Sequence, residues 1–113
     1  MRDKSEEFAV RVINLRKYLV EKREYELSSQ IVRSGTSIGA NINEALCAIS
    51  RKEFLAKMYV SFKECNETLY WLRLLHRTDY IGDKEFESMT ADCNEILYIL
   101  SSITKTTAEK NKE

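Results

Sequence analysis

The chain has no proline, only three glycines (Gly35, Gly39 and Gly82), a single histidine and no net charge over its 113 residues. A turn-rich β sandwich or barrel needs punctuating residues at short intervals, so their scarcity argues against one and favours long helices on short links. Eighteen basic side chains balance eighteen acidic ones. That balance removes any global pull toward nucleic acid or anionic lipid and leaves only local patches to consider. No apolar run approaches the ~20 residues that cross a bilayer. The opening Met1–Glu7 lacks the hydrophobic segment of a signal peptide. The expectation is a cytoplasmic protein with no membrane association. The three cysteines follow no metal or disulfide spacing. Cys65 and Cys93 fall on apolar helical positions and Cys47 lies beside one, which predicts buried free thiols in a reducing compartment.

What is present is helical periodicity. Phe8, Val12, Leu15 and Leu19 make one stripe of a helix over about 5–20. A second segment, about 25–49, carries Leu27, Ile31, Ser34, Ile38, Ile42, Ala45 and Ile49, with a middle thinned by small residues. Ser50-Arg51-Lys52-Glu53 reads as a capping box that opens a third helix, 51–77. Its seam is Leu55, Met58, Phe62, Cys65, Leu69, Leu72 and His76, in the three-four alternation of left-handed bundles. A turn containing Gly82, suited to a left-handed conformation, precedes a fourth helix over about 83–107. It repeats the alternation through Phe86, Met89, Cys93, Ile96, Leu100, Ile103 and Thr107, and the tail from Glu109 is polar and frayed. Four amphipathic helices with short links predict an all-α, up-down-up-down antiparallel four-helix bundle, one domain over 1–113. The first helix is shorter than the others, so the bundle is expected to be incomplete at one end.

The least ordinary stretch is Arg33–Ala45. Gly35 and Gly39, four apart, each cost about 1 kcal/mol relative to alanine in a helix. The expected return is close approach of another helix, in the same bundle or in a neighbouring subunit; a local bend is the rival. Asn41 and Glu44 share a side of the helix with Gln30. They are expected to bond to a neighbouring helix or subunit and set register, with Arg33, Arg73 or Arg77 as candidate partners for Glu44. Trp71, beside Leu69 and Leu72, either flanks the core or meets another subunit. Arg51, Lys52, Lys57 and Lys63 form a modest basic group, read first as a solvated face and second as a weak nucleic-acid contact. His76 reads as a capping or packing residue. It has no Cys or His companion at ligand spacing and no Glu-x-x-His pair, so no metal, cofactor or catalytic centre is expected.

Leu27–Arg33, Ser37–Ala45, Ser50–Phe54 and Thr78–Ile81, in that order and spacing, resemble the bacterial four-helix bundle proteins encoded in intervening sequences of 23S ribosomal RNA genes. The resemblance covers nearly the whole chain. The family's central motif reads Ser-Ile-Pro-Ala-Asn-Ile-Ala-Glu-Gly. Here Gly39 replaces the proline, Asn43 the alanine and Ala45 the final glycine. The resemblance implies a four-helix bundle assembled into a homopentameric ring. A related branch, the accessory proteins of diversity-generating retroelements, is strongly basic and associated with reverse transcriptase and nucleic acid. The expected function is therefore a non-enzymatic homo-oligomeric interaction or scaffold protein with an unidentified protein partner, and the alternative is a nucleic-acid-binding accessory protein.

Overall fold

The computed structural model describes the backbone of residues 1–112 and the side chains of residues 1–105. Thr107 and the tail from Glu109, placed above in the fourth stripe and at its frayed end, have side chains outside the described residues. Four helices follow one another: α1 (Arg2–Glu21), α2 (Glu26–Leu46), α3 (Arg51–Arg77) and α4 (Asp83–Lys112). Each packs on its neighbour in sequence, and α1 closes only sparsely on α4. The result is an antiparallel four-helix bundle, 50 × 22 × 21 Å. Among the described residues no helix is long and apolar enough to cross a membrane.

The register follows from pairs across the interfaces. Between α2 and α3, Glu44 meets Lys57, Ile38 meets Ser61 and Ser34 meets Thr68, so descending α2 means ascending α3. Between α3 and α4, Cys65 faces Cys93 and His76 faces Asp83. The ion pairs Lys4–Glu95 and Arg11–Asp92 bridge α1 to α4. Toward the other end, α1 and the start of α4 leave a cleft of about 450 Å³ whose walls include Asn14, Tyr18 and Tyr80.

The core stripes of α1 and α4 lie where the apolar period puts them. Elsewhere the structure differs. In α1 the helix starts a turn earlier than the pattern suggests, so Ser5 lies inside it, fully buried and bonded to the Arg2 carbonyl at 2.8 Å. In α2 the helix ends at Leu46, and Ile49, assigned to the stripe, is 96% exposed. The cause is the capping box. Ser50 is extended (φ −141°, ψ 158°) and accepts from the Glu53 backbone N–H at 3.0 Å, while the Glu53 carboxylate accepts from the Ile49 N–H at 3.2 Å. The chain must leave α2 before that point. In α3 the buried residue at the C-terminal end is Leu75 rather than His76, and Ser61 and Thr68 are buried in place of Phe62 as the inward face turns toward α2.

Both α1 and α3 end in the same way. Glu24 N–H bonds to Leu19 C=O and Arg23 N–H to Val20 C=O; Tyr80 N–H bonds to Leu75 C=O and Asp79 N–H to His76 C=O. These are Schellman closures with a non-glycine residue in the left-handed position, Arg23 (φ 63°) and Asp79 (φ 66°). Gly82, expected to take that conformation, does not: no glycine has positive φ. Gly82 instead stands just before α4, its carbonyl accepting from Phe86 N–H, with nothing within 4 Å of where a Cβ would sit. A side chain there meets no obstacle. Gly82→Ser should add a capping oxygen and reduce the freedom of the unfolded chain, raising stability by about 0.5–1 kcal/mol in a thermal or urea melt; a loss of stability would show that the site needs glycine after all.

Candidate functional site

The middle of α2 carries no charged residue from Ser34 to Asn43. Its glycines look toward α1. A Cβ on Gly35 would lie 2.8 Å from both methyls of Val12, and one on Gly39 would lie 3.2 Å from Ser5 Oγ. The close approach is therefore within the bundle, and it brings the backbones of α1 and α2 together over two turns.

The opposite flank of α2 meets α3 through hydroxyls. Ser61 donates to the Ile38 carbonyl at 2.8 Å, and Thr68 Oγ1 donates to Ser34 Oγ at 2.9 Å; Ser34, Ser61 and Thr68 are all buried. In the dry interior each bond is costly to break, because the group left behind would be buried without a partner. Apolar periodicity could not find this pair of positions. The available signal was the seven-residue spacing of Ser61 and Thr68, two small polar residues recurring on one face of an otherwise well-marked helix.

The outward polar groups of α2 are satisfied by their own helix. Thr36 donates to Val32 C=O (2.6 Å), Ser37 to Arg33 C=O (2.7 Å), Asn41 to Ser37 C=O (2.8 Å) and Asn43 to Gly39 C=O (2.9 Å). Asn41 therefore does not bond to a neighbouring helix as expected; a short amide on a helix reaches the carbonyl four residues back more easily than a facing helix. Glu44 pairs with Lys57 at 3.5 Å rather than with any of the three arginines. Antiparallel pairing puts the end of α2 beside the start of α3, whereas Arg73 lies 16 residues, about 24 Å, further along. The Glu44 side chain is 59% exposed, and such a surface pair contributes at most about 1 kcal/mol.

Arg33 turns instead to Glu64 (3.3 Å) and Glu67, with Gln30 at 3.4 Å. Glu67 also accepts from Trp71 Nε1 at 2.9 Å. Trp71 is partly buried against the core, meets the Tyr70 ring edge-on at 5.0 Å and borders a shallow groove with Tyr25, Leu27 and Gln30. This α2–α3 cluster is the densest polar network of the described surface, and it ties the tryptophan to the arginine that opens the uncharged stretch.

The four basic candidates are dispersed. Lys57 faces α2, Arg51 stands at the first turn of α3, and only Lys52 and Lys63 share the outer side of that helix. His76 bonds to Asp83 at 2.7 Å and stacks on Phe86 at 4.2 Å, closing the α3–α4 turn. Cys65 and Cys93 are buried with sulfurs 3.5 Å apart, each bonded to the other's carbonyl. Cys47, expected to be buried, is exposed because it caps the shortened α2. Hydrogen bonding to Cys65, then burial, holds the Cys93 thiol far above the usual thiol range. Among the described residues no group of three or more His, Cys, Asp or Glu side chains is placed to hold a metal ion.

The comparisons match this architecture. A family model described as 23S rRNA-intervening sequence protein matches residues 1–102. The chain is also similar to a crystal structure from Bacteroides thetaiotaomicron, described as a protein with unknown function from the S23 ribosomal protein family. Identity is 55%, over 92% of this chain and 97% of that one, with a TM-score of 0.90. No curated protein matches.

Proposed function

Because the chain belongs to the 23S rRNA-intervening sequence protein family, we propose that it is a non-enzymatic helical bundle that assembles with copies of itself, as a ring of five, and works as a scaffold that presents its remaining surface to a partner. The observation that carries this reading is the outer side of α2. Over three turns it has no charge, its hydroxyls and amides are spent on their own backbone, and Ala40 stands exposed at its centre. A second copy could pack there without desolvating a charge, the largest penalty of burying a helix face, and could donate to the Asn41 and Asn43 amide oxygens. On α1, Val10, Ile13 and Val20 add 40–51% exposed apolar side chains. Asn41, Glu44 and Trp71, three of the candidates, are taken up in structural bonds within the bundle, which supports a role in packing and assembly.

Light scattering or sedimentation should give a mass five times the 13.2 kDa of the chain. Ala40→Glu, which puts a carboxylate at the centre of the uncharged face, should release a helical monomer. A concentration-independent wild-type monomer, or an Ala40→Glu protein of unchanged size, removes this reading.

A further inference from the structure

The side of α3 that points away from the core carries Lys52, Tyr59, Lys63, Tyr70, Arg73 and Arg77, all exposed. Their spacings of seven, four, seven, three and four keep them on one ridge, about 38 Å long at 1.5 Å per residue. The two other positions on the ridge, Ala56 and Asn66, are neutral, so it holds four cations and no carboxylate. The acids of α3 are turned aside: Glu64 and Glu67 hold Arg33, and Glu53 holds the Ile49 N–H. Of the α4 acids in ion pairs, Glu85, Asp92 and Glu95 face α1 and Asp83 holds His76. Among the described residues none of the four ridge cations is in an ion pair. A chain with zero net charge thus presents an edge whose formal charges are all positive.

The rings are interleaved with the charges. Lys63 Nζ lies 6.0 Å from the centre of the Tyr59 ring, and the Arg73 guanidinium lies 5.9 Å from that of Tyr70. A cation–ring pair therefore occurs twice, the rings eleven residues, three turns or about 16 Å apart. At the Lys52 end the ridge opens into a groove of about 570 Å³ between α3 and α4. Its wall is Leu55, Phe62 and Tyr59, the two rings stacked at 6.0 Å and 20°, and Lys52 and Lys105 also border it.

We propose that this ridge and groove bind single-stranded nucleic acid. Bases stack on Tyr59, on Tyr70 and in the groove, and phosphates run along Lys52, Lys63, Arg73 and Arg77. Exposed rings alternating with unpaired cations match a strand whose bases and phosphates alternate, and ring stacking is indifferent to sequence. An acidic peptide would satisfy the charges but leave the rings without a role. A bilayer surface calls for bulky apolar side chains at the outermost positions, and there the site presents cations and tyrosines, with Leu55 and Phe62 set back in the groove wall. A duplex keeps its base faces covered. The ridge lies on α3, on a different helix from the uncharged α2 face, so the binding test reads it separately from the mass measurement.

The test is fluorescence anisotropy with a labelled oligouridylate long enough to cover the ridge. Affinity should fall steeply with salt, with a logarithmic slope of about −3 for four phosphates on a single strand. Lys63→Glu with Arg73→Glu should weaken binding more than tenfold. Tyr59→Ala with Tyr70→Ala should cost about tenfold or more while keeping the salt slope. Arg16→Glu with Lys17→Glu, on exposed α1, should change affinity little. In the wild-type protein, ultraviolet crosslinking should place the nucleotide adduct on Tyr59 or Tyr70. The proposal is overturned by absence of binding at low salt, by equal loss in the α1 variant, or by adducts confined to other residues. It is equally overturned if polyglutamate, a duplex of the same length or phosphatidylserine vesicles bind as tightly as the oligouridylate.

Discussion

Gly35→Leu should cost the protein more than 3 kcal/mol and lower its melting temperature by on the order of 15 °C, because even the first added carbon has nowhere to go. That carbon would sit 2.8 Å from both Val12 methyls, and Val12 is fully buried with no room to swing aside. Helix propensity works in the opposite direction by about 1 kcal/mol, so the smaller Gly35→Ala should show a net loss of roughly 1–2 kcal/mol. Gly39→Ala is the contrast. Its new carbon meets Ser5 Oγ at 3.2 Å, a hydroxyl that can shift by tenths of an ångström, so gain and loss should nearly cancel. Pairing Gly35→Ala with Val12→Ala should recover part of the loss, as expected for residues in direct contact. Melts of these variants decide the matter, and a Gly35→Leu protein that melts with the wild type would mean that α1 is not seated against α2 at this point.

The second large effect concerns the thiols. In the native protein one cysteine, Cys47, should react at once with an aromatic disulfide reagent, and three should react after denaturation. Cys65 and Cys93 have no exposed surface, so they wait for the bundle to open, and their rates should fall by a factor of about 10³ or more. There is a pH signature as well. An unfolded cysteine ionises near about 8.5, while the folded Cys93 thiol keeps its proton because its bond to Cys65 and its burial both disfavour the thiolate. With the folded value raised, its contribution to stability is fully present below the unfolded value and is lost as pH rises above it. Stability should therefore fall by about 2 kcal/mol between about pH 8.5 and about pH 10, and Cys93→Ala should flatten that decline. Immediate reaction of all three thiols, or stability that is level to about pH 10, would show that the pair is not held as described.

The two effects separate what is local in this chain from what is not. The existence and type of all four helices, the stripes Phe8–Leu19 and Met89–Leu100, and the Ser50/Glu53 box are legible in the sequence because each depends on residues within one or two turns. The same locality misled where two neighbouring positions competed. One residue is only 100° on a helical wheel, so Leu75 and His76, or Ser61 and Phe62, are separated by the rotation of α3 against α2, which no single helix contains. The left-handed residues show the same limit. Glycine would be the natural choice, yet the closing hydrogen bonds of α1 and α3 hold Arg23 and Asp79 there.

The sequence by itself determined four amphipathic helices, their order and their bundling, since apolar periodicity and short links leave little else to form. It also marked Arg33–Ala45 as unusual. Only the tertiary structure decided what that stretch does: its glycines turn to Val12 and Ser5, its amides bond to their own helix, Glu44 finds Lys57, and an uncharged face remains outside. The reason is that rotation and register between helices are set by all the contacts of an interface together. A residue type can announce that a close approach is possible, but the partner that approaches is chosen by the packing of the whole bundle.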